Sequence, residues 1–361
     1  FFFFNKTYRR AVSKPSAPST DKMGMRRLCY AAVSFIVGAW AFVKVNSISG
    51  PAFEPILAAC GNAEISAEDF ARETGYHSYE PKVGLGVFKI LVCLITQFLL
   101  ELRETYPAGL LTWGGVVVAA LPLNGLMTIT AGRRGAKGPV IYPTIIGLLY
   151  QLLGISVIFP LIYNPSYYFS GAKLGVPVTN LRITAAVIFT LPVTLLTYFV
   201  FASPTNGYTW EVSAGILGGP ILAMLGLPLW LDKSPSMEVT SENVARSNSA
   251  IQRAYTFLSA VAFAIYSYLL VVAYQTYGLA FDELWRDIWS EAGPSVAFMT
   301  IDTGVLYLGE LLFIAYHSEW KAFKAFLMTP LVGPGAACCI VLKELEGEGS
   351  NALLLGEKKT A

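Results

Sequence analysis

The stretch that decides the fold is "FMTIDTGVLYLGELLF", from Phe298 to Phe313. Thirteen of its sixteen residues are apolar, glycine or threonine, yet Asp302 and Glu310 interrupt it. A charged side chain at the centre of a bilayer costs about 2.5–3.5 kcal/mol on insertion scales, and acids at that depth are mostly functional. The sequence therefore predicts a membrane helix and raises the question of why it carries two acids.

The whole chain has the composition of a polytopic membrane protein. Of its 361 residues, 54% are hydrophobic and 14% are charged, whereas a soluble protein carries about 25% charged residues. The net charge of +2 comes without a basic block, so nucleic acid is not expected as a partner. With two histidines we expect no metal site. The five cysteines imply no disulfide framework, since only Cys60 falls in a predicted solvent loop.

A bilayer core needs about 20 mostly apolar residues per helix. On this criterion the chain is an all-α transmembrane bundle of about nine spans, with eight to ten as the range. The range reflects the sixth span, whose glycines and two prolines allow a kinked or re-entrant path. The predicted spans are Leu28–Asn46, Gly84–Leu102, Gly109–Thr130, Gly138–Tyr163, Leu181–Ala202, Tyr208–Leu231, Ala254–Tyr274, Pro294–Tyr316 and Phe323–Leu342.

These spans form one membrane domain, residues 28–343, with an acidic loop at 50–82. A basic solvated arm at 1–27 precedes it and a polar tail at 344–361 follows it. Lys and Arg are enriched on the cytosolic side of membrane proteins, which favours a cytosolic arm. In a nine-span topology the basic loop "GRRGAKG", Gly132–Gly138, then falls on the opposite side, against that rule.

Three acids are candidate catalytic groups: Asp302, Glu101 and Glu310. The first and last are separated by about 12 Å of helix rise and roughly 80° around the axis, so they line one broad face. Each acid also has a structural alternative. Asp302 can make an interhelical hydrogen bond, Glu310 can extend to the interface, and Glu101 can form an interfacial ion pair.

Aromatic rings near span interiors can stabilise a cation through their π faces, although packing is the simpler role for each. Arg133, in the basic loop, can hold an anion or orient a carboxylate, or serve topology alone. The candidate substrate-binding residues are Tyr307, Trp113, Tyr142, Tyr150, Trp210 and Arg133.

Several catalytic signatures are absent from the sequence. It contains no P-loop, no GxGxxG after a strand and no GxSxG elbow. It also lacks the DDxxD, DxDD and paired NDxxD patterns of enzymes that act on prenyl diphosphates. These absences argue against nucleotide chemistry and against metal-assisted loss of diphosphate.

Four stretches resemble the fungal membrane-bound terpene cyclases of the ascofuranone-cyclase type, which act in meroterpenoid biosynthesis. They are "YPAGLLTWG", the run from "GRRGAKG" to "GISVIFPLIYNPSY", the aspartate span quoted above, and "FLMTPLVGPGAA". The resemblance covers most of the chain from the second predicted span onward. It implies acid-initiated cyclisation of a prenyl chain, at a terminal alkene or epoxide, attached to an aromatic or other polyketide unit.

That chemistry agrees with the residues. Protonating an alkene or epoxide needs a carboxylic acid kept neutral by an apolar site, and the carbocation needs a dry cavity with aromatic walls. We therefore expect a cofactor-free cyclase in the endoplasmic reticulum or another intracellular membrane. Asp302 is the leading acid, ahead of Glu101 and Glu310, and Tyr307 stabilises charge or bonds an acid. The expected substrate is lipophilic and farnesylated, enters from the membrane lipids, and occupies a closed pocket among the second, third, fourth and eighth spans.

Two other classes remain open. A proton-coupled carrier of small lipophilic molecules fits the number of spans, the broken sequence "LGGPILAMLGLP" and acids that relay protons. A membrane scaffold would use the acids only to hold helices together. Cavity shape separates the three: a closed apolar pocket with acids favours the cyclase, a two-sided aqueous path the carrier, and no cavity the scaffold.

Overall fold

A computed structural model describes residues 20–61, 66, 68–69, 72, 86–188, 201 and 237–357. All regular secondary structure in these ranges is helical, which confirms the all-α prediction. The helices are α1 Thr20–Gly61, α2 Gly86–Glu104, α3 Ala108–Ala131, α4 Pro143–Leu153, α5 at 155–170, α6 Asn180–Ile188, α7 Ser241–Tyr277, α8 Phe281–Arg286, α9 Pro294–His317, α10 Glu319–Val332 and α11 Pro334–Glu357. Within α5, a π-helical turn, Phe159–Tyr163, joins Ile155–Ile158 to Asn164–Ser170.

Four described helices are long and apolar enough to cross a membrane: Gly24–Ile48 of α1, and the whole of α3, α7 and α9. Helix α3 is the most buried of them, and glycines let its neighbours approach closely. A Cβ at Gly114 would lie 2.7 Å from the Leu269 side chain of α7. A Cβ at Gly115 would lie 3.1 Å from Thr303 Oγ1 of α9. Small residues at such contacts are how membrane helices maximise packing.

One end of the bundle holds Arg26 and the basic loop Gly132–Gly138, and we call it the basic end. At the start of α1, Arg26 donates to the Ala315 carbonyl at 3.0 Å, near the end of α9. The loop after α3 reaches the same end, where Gly135 approaches Gly171 at the end of α5. The basic loop Gly132–Gly138 therefore lies on the same side as Arg26. The prediction that these two basic segments lie at opposite ends was wrong.

The other end is marked by a disulfide, and we call it the disulfide end. Helix α1 continues through Pro51 and Pro55 for 42 residues, about 63 Å at 1.5 Å per residue, which is twice a bilayer core. Its last turn is bonded to α2 by the disulfide Cys60–Cys93. The expectation of no disulfide was wrong, because Cys93 lies in an apolar run that resembled a buried span. The first part of the predicted acidic loop, residues 50–61, is helical.

Helix α2 lies where the second span, Gly84–Leu102, was predicted. It packs Leu99 and Leu102 against Val296, in the first turn of α9. It is not among the four candidate spans found in the described residues. Because α2 packs at the disulfide end, the chain enters α3 from that end and leaves it at the basic end.

The predicted span Gly138–Tyr163 is a broken helix rather than one rod. Helix α4 enters from the basic end, the chain turns at Gly154 with φ +91°, and α5 returns. The return is fixed by α1, whose Ser34 hydroxyl donates to the Pro160 carbonyl at 2.8 Å. We call residues 143–170 hairpin A.

The predicted span Phe323–Leu342 is also broken, at Gly333 with φ +83°. Helix α10 rises from the basic end until Thr329 reaches Tyr307 in the middle of α9. Helix α11 then descends, and Glu346 is buried at the basic end. We call residues 319–357 hairpin B. The predicted polar tail at 344–361 therefore begins, up to residue 357, as the end of a packed helix.

The remaining predicted spans are covered in part. Of the fifth, Leu181–Ala202, the structure describes residues 181–188, which belong to α6, and residue 201. The sixth, Tyr208–Leu231, lies outside the described residues. The prediction of about nine spans is thus not confirmed. Four of the described helices are candidate membrane spans.

Candidate functional site

Glu101, at the end of α2, caps the start of α9. Its carboxylate accepts hydrogen bonds from the Ser295 hydroxyl and from the Ser295 N–H, the latter at 3.4 Å. Gly293 has φ +85°, and a Cβ there would collide with Glu101 Oε1. A negative charge at a helix N-terminus is favoured by the exposed N–H groups and the helix dipole. Glu101 is therefore buried in a structural contact at the disulfide end.

Asp302 repeats this arrangement at the turn of hairpin A. Its carboxylate accepts from the Ser156 hydroxyl and from the Ser156 N–H at 3.3 Å. Gly154 precedes that helix start, and a Cβ there would lie 3.3 Å from Asp302 Oδ1. Asp302 is 3% exposed, and no salt bridge among the described residues includes it. The predicted interhelical hydrogen bond is present, and its partner is Ser156.

Glu310 lies beside the break of hairpin B. It is 4% exposed, and no hydroxyl or backbone N–H of the described residues donates to its carboxylate oxygens. The Cys338 thiol, near the start of α11, faces the carboxyl. The alternative in which Glu310 extends to the interface was wrong, because hairpin B covers this face of α9.

A cleft of about 630 Å³ lies at the disulfide end, between α1 and the start of α9. Its wall is mainly apolar, with Ile48, Pro51, Trp289, Pro294 and Ala297, and its polar side chains are Lys44 and Ser290. Gly293 also lines the cleft and separates it from Glu101.

Asp302 does not line this cleft, which is open and is not the closed pocket predicted among the second, third, fourth and eighth spans. Phe298 connects the two. It follows the lining residue Ala297, and its ring atom Cζ would lie 3.6 Å from a Cβ at Gly154, beside Asp302. The Phe298 ring also meets Phe98 edge-on, at 5.6 Å between centroids. Phe298 thus lies near the buried acid and is next in sequence to a residue of the cleft wall.

The predicted aromatic contacts are dispersed, and none lines the cleft. Tyr307 is hydrogen-bonded to Thr329 of hairpin B, and Tyr150 donates to Asn124 at 3.4 Å. Trp113 packs against the cluster formed by α2 and the start of α9. Tyr142 is 53% exposed before α4, and Trp210 lies outside the described residues.

Arg133 orients a carboxylate in this fold, as one of its predicted alternatives states, and its role as a substrate contact stays a prediction. Its guanidinium forms a fully buried ion pair with Glu346. It also donates to the carbonyls of Lys173 and Val176, at 3.1 and 3.0 Å. These contacts tie the loop after α3 to hairpin B and to the loop after α5.

Sequence reasoning missed the two serines that hold the acids. A signal was present, because "GIS" at 154–156 and "GPS" at 293–295 both place serine just after a glycine that starts a helix. Such a pattern is typical of a helix start.

Comparisons with protein families, curated proteins and solved structures found no match. Among the described residues, no three His, Cys, Asp or Glu side chains are grouped as a metal site requires.

Proposed function

We propose that the chain is a membrane-embedded terpene cyclase in which Asp302 protonates the terminal alkene or epoxide of a farnesylated substrate. One observation carries the proposal: a buried carboxyl with two hydrogen-bond donors and no cation partner among the described residues, near an aromatic ring that is next in sequence to the wall of an open cleft. The cleft volume of about 630 Å³ falls within the roughly 300–1,000 Å³ of small-molecule sites. The resemblance noted in the sequence points to the same chemistry.

The proposed reaction starts with transfer of the Asp302 proton to the alkene carbon or the epoxide oxygen. The carbocation that forms, or the opening epoxide carbon, is attacked by the next alkene of the prenyl chain, which makes a ring bond. The last cation loses a proton back to the Asp302 carboxylate, so that the product is an isomer of the substrate. The two Ser156 donors stabilise the carboxylate left by the first step. The Phe298 and Trp289 rings attract the cation.

The route to Asp302 runs past Phe298 in this proposal. The substrate enters the cleft from the lipid side with its polar head near Lys44, and the prenyl end displaces the Phe298 ring. Closure of the ring behind the substrate then excludes water from the cation.

The proposed orientation has the basic end in the cytosol and the disulfide end in an oxidising lumen. Two independent features support it: basic loops are enriched on the cytosolic side, and disulfides persist in oxidising compartments. An endoplasmic-reticulum or other intracellular membrane satisfies both. The prediction of about nine spans stays a prediction.

The test is expression in microsomes with a panel of farnesylated phenols and their terminal epoxides. Cyclisation by proton transfer gives a product of the same mass as its substrate, separable by chromatography. We expect such an isomer from the wild type and not from Asp302→Asn at equal amounts of folded protein. Conversion of no panel member by correctly inserted protein would count against the cyclase.

A proton-coupled carrier is the second candidate, and one observation favours it. Two helices are broken within the bundle, at Gly154 and Gly333, and an acid of α9 lies at each break. Carriers use such breaks to build sites near the bilayer centre. Substrate-driven proton flux into vesicles, without chemical change of the substrate, would identify this function.

A further inference from the structure

Three exposed cations at the basic end have no acid partner among the described residues. They are Arg134 and Lys137 of the loop after α3, and Lys173 of the loop after α5. No salt bridge between described residues includes any of the three. We call these three residues the basic patch.

The two loops that carry the basic patch touch each other. A Cβ at Gly135 would lie 3.3 Å from the Gly171 carbonyl oxygen, and a Cβ at Gly171 would lie 2.9 Å from the Gly135 carbonyl oxygen. Arg134 directly precedes Gly135, and Lys173 follows Gly171 by two residues. Cations from two separate parts of the chain are therefore brought together on one surface.

The buried Arg133–Glu346 pair holds the backbone beneath the basic patch. Arg133 donates to the Lys173 carbonyl at 3.1 Å, and Glu346 accepts from the Gly175 N–H at 2.7 Å. Gly135 and Gly175 both have positive φ, +93° and +82°, a backbone conformation that favours glycine. The pair and these turns therefore fix the two loops that carry the exposed cations.

The acids of hairpin B at this end already have cations of their own. Glu346 binds Arg133. Glu344 and Glu348 both bind Lys321, at 3.2 and 2.9 Å. These acids are therefore committed to other cations, and the basic patch keeps its positive charge within the part of the chain that the structure describes.

The basic patch borders an exposed apolar surface. Helix α3, a candidate membrane span, ends at Ala131, three residues before Arg134. Lys137 precedes the helical turn Gly138–Ile141, after which α4 begins. Exposed apolar side chains at i, i+3 and i+7 then follow on one face of α4: Ile145, Leu148 and Leu152. A negative head group at the patch would have its acyl chains beside this apolar face.

We propose that the basic patch binds the head group of an anionic phospholipid in the leaflet at the basic end. Head-group oxygens accept hydrogen bonds from the Arg134 guanidinium and the two lysine ammonium groups. The acyl chains lie along the exposed face of α4. Lys and Arg at a membrane surface attract anionic lipids, which are enriched in the cytosolic leaflet. Neither Asp302 nor the cleft takes part, so the site does not depend on the proposed cyclase.

The experiment measures lipid binding to the full chain, purified in detergent, by native mass spectrometry. Phosphatidylserine and phosphatidylcholine with identical acyl chains are titrated separately, because both carry a phosphate and only phosphatidylserine has a net negative charge. We expect the wild type to prefer phosphatidylserine. Arg134→Gln and Lys173→Gln should each weaken phosphatidylserine binding about fivefold and leave phosphatidylcholine binding unchanged. Both side chains are exposed, so the variants should fold as the wild type does.

The matched control is Lys324→Gln, which also removes one positive charge, but from a lysine of hairpin B that is paired with Glu344. It should leave phosphatidylserine binding unchanged. Equal binding of the two lipids by the wild type would overturn the proposal, as would an equal loss in Lys324→Gln and the patch variants.

Inorganic phosphate, added as a competitor, separates a lipid head group from a free anion. Phosphate at the same concentration as the lipid should not displace it, because it has no acyl chains to lie on α4. Displacement would assign the basic patch to a soluble anion and overturn the lipid assignment. A failed cyclase assay would leave each of these results standing.

Discussion

The acids that lie along the two halves of α9 differ in their hydrogen-bond donors. Towards the disulfide end, Glu101 and Asp302 each accept a hydroxyl and an N–H from a serine at a helix start. Towards the basic end, Glu310 faces the start of α11 without such donors among the described residues. The three helix starts are related in sequence: "GIS" at 154–156, "GPS" at 293–295 and "GPG" at 333–335.

The third start lacks its serine for a steric reason. A Cβ at Gly335 would collide with the Val118 carbonyl oxygen of α3. Close packing of hairpin B on α3 therefore excludes the side chain that would have bonded an acid. A buried carboxylate that lacks such donors costs several kcal/mol, on the order found for buried charges in general. We therefore expect Glu310 to have a role other than capping the start of a helix.

The largest expected effect is that of Asp302→Asn. Asn keeps an oxygen that accepts from Ser156, so the thermal midpoint should change little. Loss of a general acid typically costs about 10²–10⁴-fold in rate. The measurement is initial rate per folded protein, alongside a thermal scan. An Asp302 that only caps hairpin A predicts the reverse: a lower midpoint with activity retained by the folded fraction.

Gly335→Ser tests the steric account of the third helix start. The new side chain must displace the α3 backbone, and overpacking of this kind typically costs about 1–3 kcal/mol. Gly304→Ser, on α9, is the control, because a Cβ there meets nothing within 4 Å. The comparison is the midpoint of unfolding of the two variants in one detergent. Equal midpoints would mean that α3 does not exclude the serine.

Ser156→Ala and Ser295→Ala compare the two capped acids. Each removes one donor from a buried carboxylate, which typically costs about 1–3 kcal/mol. We expect the larger loss at Ser156, because hairpin A turns deeper in the bundle, where a lower dielectric strengthens each hydrogen bond. Unfolding midpoints measure both. A larger loss at Ser295 would show that depth does not separate the two sites.

Part of this architecture follows from the sequence. The four candidate spans lie in α1, α3, α7 and α9, and each contains a run of about 20 mostly apolar residues. Such runs can be found from the sequence because the thickness of the bilayer core sets their length. The breaks at Gly154 and Gly333 do not change hydropathy, so Gly138–Tyr163 and Phe323–Leu342 were predicted as single spans. The backbone turns with positive φ that divide them are visible only as glycines before a helix start.

The partners of the charged groups could not be predicted. Asp302 and Ser156 are 146 residues apart, and Arg133 and Glu346 are 213 residues apart. Such contacts depend on how helices are ordered in the bundle, which the order of apolar runs does not give. For the same reason the sequence alone did not show that Arg133 is a buried tie between a loop and hairpin B.

The smallest expected effect is that of Glu310→Gln. Its measurement decides whether Asp302 or Glu310 is the proton donor. Glutamine has nearly the size of a protonated glutamate and adds no charge, so the stability of the protein should change by less than about 1 kcal/mol. If Asp302 is the acid, Glu310→Gln should reduce the rate by less than the roughly 10²-fold lower bound for losing a general acid. Glu101→Gln is the matched control, since it also replaces a buried acid with its amide but at a capped site. A rate loss from Glu310→Gln as large as that from Asp302→Asn would place the proton donor at hairpin B, where the carboxyl has no serine to hold it.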